Sequence, residues 1–79
     1  MTVEISMYPL TEAYEPPILA FIERLRSQPG LVVETNSTST RLSGAPEVLI
    51  PLLQVACIEA WEERQTVFSM KWLRGDLLS

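Results

Sequence analysis

Two segments that alternate between two sets of side chains stand near opposite ends of the chain, and they limit how it can fold. Residues 2 to 8, "TVEISMY", place Val3, Ile5 and Met7 on one side. Residues 66 to 73, "TVFSMKWL", repeat the pattern with Phe68, Met70 and Trp72. A period of two predicts strands that are buried on one face only. The fold must therefore supply a sheet with one covered face.

The 79 residues suit one small domain, assigned here as residues 1–79. A core this small favours oligomerisation as a way to bury more surface. The formal net charge is -4, and the six Lys and Arg residues are scattered singly. Because no basic stripe is available to neutralise phosphates, nucleic acid is not an expected partner.

The chain contains one cysteine, Cys57, and no histidine. An intrachain disulfide is therefore excluded, and the commonest metal ligand and general base is missing. We predict no metal site, no cofactor and no catalytic residue. The N-terminus lacks a basic segment before an apolar one, and the longest apolar window is too interrupted to span a bilayer. We expect a cytoplasmic protein without a membrane partner.

Two helices and a hairpin are predicted between the end strands. Ile18, Phe21, Ile22 and Leu25 follow helical spacing between the prolines at 16 and 17 and the "PG" at 29 and 30. "LVVETN" and "STRLSG" predict a hairpin that turns near residues 36 and 37. "APEVLIPLLQVACIEAWEERQ" predicts a second helix, whose expected apolar stripe comprises Val48, Leu52, Val55, Ala56 and Trp61.

The predicted order of elements is strand, helix, strand, strand, helix, strand. Right-handed crossovers then give an α+β ferredoxin-like βαββαβ plait: an antiparallel four-stranded sheet in order 4-1-3-2 with two helices on one face. The open face is expected to carry polar residues and two valines: Glu4, Ser6, Glu34, Arg41, Ser69, Lys71, Val32 and Val67.

The stretch "NSTST" at residues 36 to 40 should lie where the first strand ends. We expect Tyr8 to approach Thr38 and Thr40 there, close to the donor groups at the start of the first helix. One ring, one amide and several hydroxyls suit a neutral heteroaromatic ligand. The structural alternative is that Thr favours strands, whereas Asn and Ser favour turns.

The pieces "ISMYPL", "PI...FI..L", "STST" and "LSG" resemble the YkoF-like family of thiamine and hydroxymethylpyrimidine-binding proteins. The resemblance implies the ferredoxin-like plait, association through sheet faces into homodimers or homotetramers, and binding of the thiamine pyrimidine without turnover. The chain departs from that pattern at Gly44-Ala45, where similar sequences carry an acidic residue after the glycine.

The leading hypothesis is a non-enzymatic binding protein for thiamine or its pyrimidine precursor, in vitamin supply or salvage. Tyr8 would flank the ring, and Asn36 would bind the aminopyrimidine edge and matter for binding more than for folding. The complete predicted ligand-binding set is Ser6, Tyr8, Asn36, Ser37, Thr38, Ser39 and Thr40.

Two alternatives stay open. A regulatory or assembly module would pair through its open sheet face without a small-molecule ligand, and Val32, Val67 and Trp72 motivate it. A small enzyme of the same fold would need a proton-transfer group, and Glu34 is the carboxylate placed to serve.

Overall fold

The computed structural model describes residues 1–78 and contains the six predicted elements. Their bounds are β1 Thr2–Pro9, α1 Glu15–Arg26, β2 Val32–Thr35, β3 Thr40–Ser43, α2 Pro46–Glu63 and β4 Thr66–Leu73. The strands form one sheet in the order β2-β3-β1-β4, and both neighbours of β1 run antiparallel to it. The predicted ferredoxin-like α+β topology is confirmed.

The core lies between the helices and one face of the sheet. Val3 and Ile5 on β1, Leu42 on β3, and Leu25 and Phe21 on α1 are buried there. The α2 residues that join them are Leu49, Leu52, Leu53, Ala56 and Cys57. Apolar side chains from α1, α2, β1 and β3 thus meet in one cluster, which holds both helices on the same side of the sheet.

The buried stripe of α2 differs from the predicted one. Leu52 and Ala56 are buried as expected, but Val48, Val55 and Trp61 are exposed. The residues that replace them in the core are Leu49, Leu53 and Cys57. The prediction was wrong because α2 carries apolar residues on nearly all of its sides, so that spacing alone did not identify the side facing the sheet.

Proline shapes the start of both helices. Pro16 and Pro17 occupy the first turn of α1, and Pro46 opens α2, where a missing N–H costs little. Pro51 lies inside α2, which continues past it to Glu63. After α1 the chain reverses at Gly30, whose φ of 83° is a conformation that glycine adopts without strain.

The open face of the sheet carries the predicted polar residues. One row across all four strands consists of Glu34, Arg41, Glu4 and Lys71, so charges of opposite sign stand side by side. Lys71 Nζ lies 3.7 Å from a Glu4 carboxylate oxygen. The next row along β1 pairs Ser6 with Ser69, and the register confirms the predicted composition of this face.

The segment after β4 folds back over one end of the open face. The chain turns at Gly75, and the Thr2 hydroxyl donates to the Gly75 carbonyl over 2.8 Å. The Leu77 N–H donates to the same hydroxyl over 2.9 Å, and Ser43 Oγ lies 2.8 Å from it. Thr2 is consequently buried although it lies on the open side of the sheet.

Cys57 illustrates the effect of burial on a titratable group. The thiol is free, and burial raises its pKa above the usual thiol value. Because the unfolded thiol ionises first, the unfolded state binds fewer protons at alkaline pH. We therefore expect the free energy of unfolding to fall as the pH rises above about 8.5. The measurement is urea denaturation at several alkaline pH values.

A Cys57→Ala variant is the control for that pH dependence. Its unfolding free energy should fall less steeply over the same alkaline range, since the group that titrates is gone. An equal slope in the two proteins would assign the pH dependence to other residues.

Candidate functional site

A cavity opens between α1 and the loop that joins β2 to β3. Its volume is about 90 Å³. The lining residues are Ile5, Met7, Ile18, Phe21, Ile22, Asn36, Ser37, Thr38, Ser39 and Thr40. One wall is therefore apolar, from β1 and α1, and the other is polar, from five consecutive residues of the hairpin.

The apolar wall is an extension of the core. Ile5 and Met7 lie on the side of β1 that faces the helices. Ile18, Phe21 and Ile22 face them from successive turns of α1. Phe21 also packs against Phe68 of β4, with ring centroids 5.2 Å apart. This contact fixes the aromatic ring on which a flat ligand could rest.

The hairpin loop is held in shape by the side chain of Asn36. Its Oδ1 accepts hydrogen bonds from the Thr38 N–H at 2.9 Å and from the Ser39 N–H at 2.8 Å. The Asn36 N–H in turn donates to the Ser39 carbonyl over 3.0 Å. An asparagine that closes a turn in this way is a common structural device. Asn36 therefore has the turn role that the structural alternative gave to asparagine, and the leading hypothesis had placed that role second to ligand binding.

The amide oxygen of Asn36 is thus committed to the loop. Its Nδ2 donates to Ser39 Oγ over 3.1 Å, which leaves a second N–H on the same nitrogen. Within residues 1–78, no hydrogen bond occupies the hydroxyl of Ser37 or that of Thr40. These two hydroxyls can donate or accept, and they are the adaptable polar groups that the cavity offers to a ligand.

Ser6 acts from the other side of the sheet. Its hydroxyl donates to the Thr38 carbonyl over 3.2 Å, so it ties the loop to β1. Ser6 does not line the cavity. Ser6 was predicted to bind the ligand, but in the structure it positions the loop instead.

Tyr8 lies outside the cavity. It pairs with Val67 of β4 on the open face, and it is 54% exposed. Thr40 pairs with Ile5, three residues earlier in β1 and on the covered face. The expected approach of Tyr8 to Thr40 was wrong, because residues an odd number apart in a strand point to opposite faces.

The start of α1 supplies fewer donors than expected. Ile18 of its first turns reaches the cavity. However, Pro16 and Pro17 have no backbone N–H, and Glu15 adds a negative charge at the same end. These residues weaken the attraction of the helix terminus for an anion. The cavity therefore favours neutral groups over phosphates.

None of the ten lining residues is ionisable. Glu34, the carboxylate considered for proton transfer, pairs with Arg41 on the open face. A general acid or base would have to enter with the ligand or come from beyond this lining.

Of the residues 1–78, no group of three His, Cys, Asp or Glu side chains is placed to hold a metal ion. No helix in the described part of the chain is both long and apolar enough to cross a membrane.

The size of the cavity limits what it can enclose. Pockets for drug-sized ligands measure about 300 to 1,000 Å³, and an engineered cavity of about 150 Å³ holds one benzene molecule. A volume of about 90 Å³ therefore accommodates part of a single six-membered ring, with the remainder at the mouth of the cavity. A larger ligand would have to leave most of its atoms outside.

Solved structures share the fold of this chain at low sequence identity. Protein SP2199 from Streptococcus pneumoniae superposes with a TM-score of 0.85 at 22% identity, over 99% of this chain and 89% of the other. The hypothetical protein MJ1052 from Methanocaldococcus jannaschii gives a TM-score of 0.81 at 22% identity, over 99% and 82% of the two chains.

A third similar structure carries a functional description. It is TM0486 from Thermotoga maritima, assigned provisionally to thiamine biosynthesis or salvage. The TM-score is 0.76 at 18% identity, and the match covers 98% of this chain and 87% of the other. No protein family model matches the chain, and no curated protein matches it by sequence. These likenesses establish the ferredoxin-like fold.

Proposed function

We propose that this protein binds a small neutral heteroaromatic ring between α1 and the hairpin loop, and that the ring belongs to thiamine or its hydroxymethylpyrimidine precursor. The observation that carries the proposal is the cavity itself. Phe21 and Ile18 offer an apolar surface to a ring, and Ser37 and Thr40 offer free hydroxyls to its polar edge. The Thermotoga maritima protein of the same fold supports the choice of thiamine chemistry.

The proposed role is binding without chemical transformation. The lining is free of ionisable side chains, so a bound ring would meet hydrogen-bonding partners but no proton-transfer group. A cationic thiazolium or a phosphate would gain nothing from such a lining, and we expect these parts of thiamine to remain at the mouth. The role fits vitamin supply or salvage in the cytoplasm, where the free thiol of Cys57 would stay reduced.

Calorimetry and thermal unfolding with hydroxymethylpyrimidine, thiamine and the isolated thiazole fragment test the proposal. We expect the first two ligands to bind and to raise the melting temperature, and the thiazole to do neither. A ligand at about 100 times its dissociation constant adds roughly 2.7 kcal/mol of stability. For a domain of this size that corresponds to a shift of about 10 °C or more. Absence of heat and of any shift with both pyrimidine ligands would refute the proposal.

Two neighbouring residues of α1 provide a matched pair of variants. Ile18 is half-buried and lines the cavity, whereas Leu19 is exposed and lies outside it. Ile18→Phe should fill the mouth and weaken binding at least tenfold, about 1.4 kcal/mol. Leu19→Phe adds the same ring elsewhere and should bind as the parent protein does. Equal affinities in the two variants would place the ligand at another site.

A second candidate function is assembly through the open sheet face, as a homodimer or homotetramer. Exposed Val32, Val67, Tyr8 and Leu73 on that face favour it, together with the row of alternating charges. A polar face with some apolar residues suits a wet interface. A Val67→Arg variant that dissociates the assembly, in a protein that binds neither pyrimidine ligand, would favour this candidate over the first.

A further inference from the structure

The outer edge of β4 is the longer of the two edges of the sheet. β4 has eight residues, all paired with β1 in an unbroken register from Thr66 to Leu73, whereas the opposite edge strand, β2, has four. Eight residues extend over about 26 Å, and half of their backbone groups point away from β1. Among the described residues 1–78, no strand pairs with that side.

Protein sheets usually protect such an edge. Shortening, proline, bulges and lysine are the common devices. β2 follows the first of them, since it is short. β4 is long and continuous, its sequence contains no proline, and the single lysine at position 71 is the one protective device that it carries. An edge of this kind is a template for a further strand.

An apolar groove accompanies this edge on the side of the helices. It lies between α2 and β4, has a volume of about 280 Å³, and is lined by Ile50, Leu53, Gln54, Cys57, Ile58, Trp61, Met70 and Trp72. Trp61 is 51% exposed and Trp72 is 52% exposed. Two half-exposed indoles in one groove form an apolar patch that is unfavourable in water, and such patches commonly mark interaction surfaces.

The exposed indole of Trp61 is held in place. Its Nε1–H donates to the Thr66 carbonyl over 2.8 Å, and its ring packs edge to face on Phe68 at 5.9 Å. The polar atom of the ring is therefore satisfied within the chain, and its apolar surface remains available. A fixed aromatic anchor loses little conformational entropy on binding, which is the property of strong interface residues.

We propose that the β4 edge and the α2–β4 groove form the contact with a second copy of this chain. The two β4 strands pair antiparallel across a two-fold axis and extend the sheet to about eight strands. An axis perpendicular to the sheet keeps both α2 helices on the same face, so the two grooves meet over the new strand pair. Each groove then covers the tryptophans of the other.

The symmetry also restricts the register of the pair. The axis maps each face of the sheet onto itself, so residues opposite one another must have the same orientation in the pleat. An axis that passes between the two copies of Ser69, or between the two copies of Met70, satisfies this condition. Both positions keep Lys71 apart from its copy. An axis that passes between the two copies of Lys71 would place their positive charges directly opposite one another, which is unfavourable.

The chemistry of the groove favours a copy of the chain over a charged partner. Apart from the buried Cys57 thiol, the lining contains no ionisable group. The net charge of -4 therefore resides elsewhere and does not oppose contact at this surface directly. A stable dimer needs about 800 Å² from each partner, a modest part of the 5144 Å² that the chain exposes.

This proposal does not depend on the ligand. The cavity proposed to bind the pyrimidine is formed by α1, β1 and the hairpin loop, whereas the dimer contact uses α2 and the outer side of β4. Loss of either property can therefore be observed without loss of the other.

The first test is the molar mass of the protein in solution, measured by sedimentation equilibrium at micromolar concentrations. We expect two copies for the parent protein. The double variant Ile58→Arg with Trp72→Arg should weaken association at least about 100-fold, because it places charges in the centre of the contact. Leu19→Arg, on the exposed side of α1, is the matched control and should remain dimeric.

Three results of that measurement would overturn the proposal. They are a monomeric parent protein, a double variant that stays folded by circular dichroism and remains dimeric, and a dimer that dissociates with Val67→Arg while the double variant stays associated. The last would assign the contact to the open sheet face.

Amide hydrogen exchange of the parent protein provides a readout that does not depend on variants. Pairing with β1 protects alternate amides of β4, and pairing with a second β4 protects the others as well. We expect both sets to be protected in the dimer and the outward set to lose protection on dilution. Unprotected outward amides at concentrations where the protein is dimeric would exclude strand pairing.

Discussion

Leu49→Ala is expected to lower the free energy of unfolding by about 2 to 5 kcal/mol, the range for leucines deleted from a core. Leu49 is 0% exposed and belongs to the α2 face that packs on the sheet. Its removal loses buried apolar surface and leaves a cavity. A chain of 79 residues has a total stability of about 4 to 12 kcal/mol, so the loss would be a large fraction. Urea denaturation followed by circular dichroism measures it.

The neighbouring residue supplies the control. Val48 is 36% exposed, and Val48→Ala removes two methyl groups from a position that remains in contact with water. We expect a loss well below about 1 kcal/mol, as for most surface substitutions. Similar losses for the two variants would mean that α2 packs on the sheet with a different face.

The difference between these neighbours could not be predicted from spacing. Ile50, Val55 and Ile58 of α2 are exposed as well as Val48, so apolar residues lie on almost every side of the helix. Periodicity identifies a buried face only when the opposite face is polar. In α2 the position of the sheet decides which apolar residues are covered, and that position depends on contacts remote in sequence.

The topology was predictable because its signals are local and agree with one another. The alternation in β1 and β4, the spacing of Ile18, Phe21 and Leu25, and the turn residues around Gly30 each indicate one type of element. Two interlocked crossover units then permit few arrangements, and the right-handed rule selects one of them. The sheet order and the composition of its open face follow from that choice.

Five of the seven residues predicted to bind a ligand line the cavity, and all five belong to its polar wall. Residues 36 to 40 stand together in sequence, and the hydrogen bonds of the Asn36 side chain within the loop are local, so that the sequence alone groups these residues. The sequence placed Ile18 and Phe21 on the apolar face of α1. In the structure they also form part of the apolar wall of the cavity, which helical spacing does not predict. The place of Tyr8 required the β1–β3 register, because the direction of a strand side chain depends on whether its position is odd or even.

Asn36→Gly is expected to weaken binding of hydroxymethylpyrimidine at least tenfold, about 1.4 kcal/mol. The substitution removes the oxygen that accepts from the N–H groups of Thr38 and Ser39. The loop then samples more conformations, and the ligand must order it on binding. Ser37 would no longer be held at the cavity, although the exposed loop should lower the melting temperature by only a few degrees. Calorimetry and thermal unfolding of the same sample measure the two effects.

The Asn36→Asp variant distinguishes two roles of Asn36: shaping the loop and contacting the ligand directly. A carboxylate oxygen can accept from the same two N–H groups, whereas the Nδ2 donor is lost. Because the Asn36 oxygen is already committed to the loop, we expect Asn36 to act mainly by shaping it, and Asn36→Asp to bind within about threefold of the parent protein, less than 1 kcal/mol. If Asp weakens binding as much as Gly does while its melting temperature is unchanged, the amide nitrogen contacts the ligand directly. In that case Asn36 would have the ligand-reading role that the sequence first suggested.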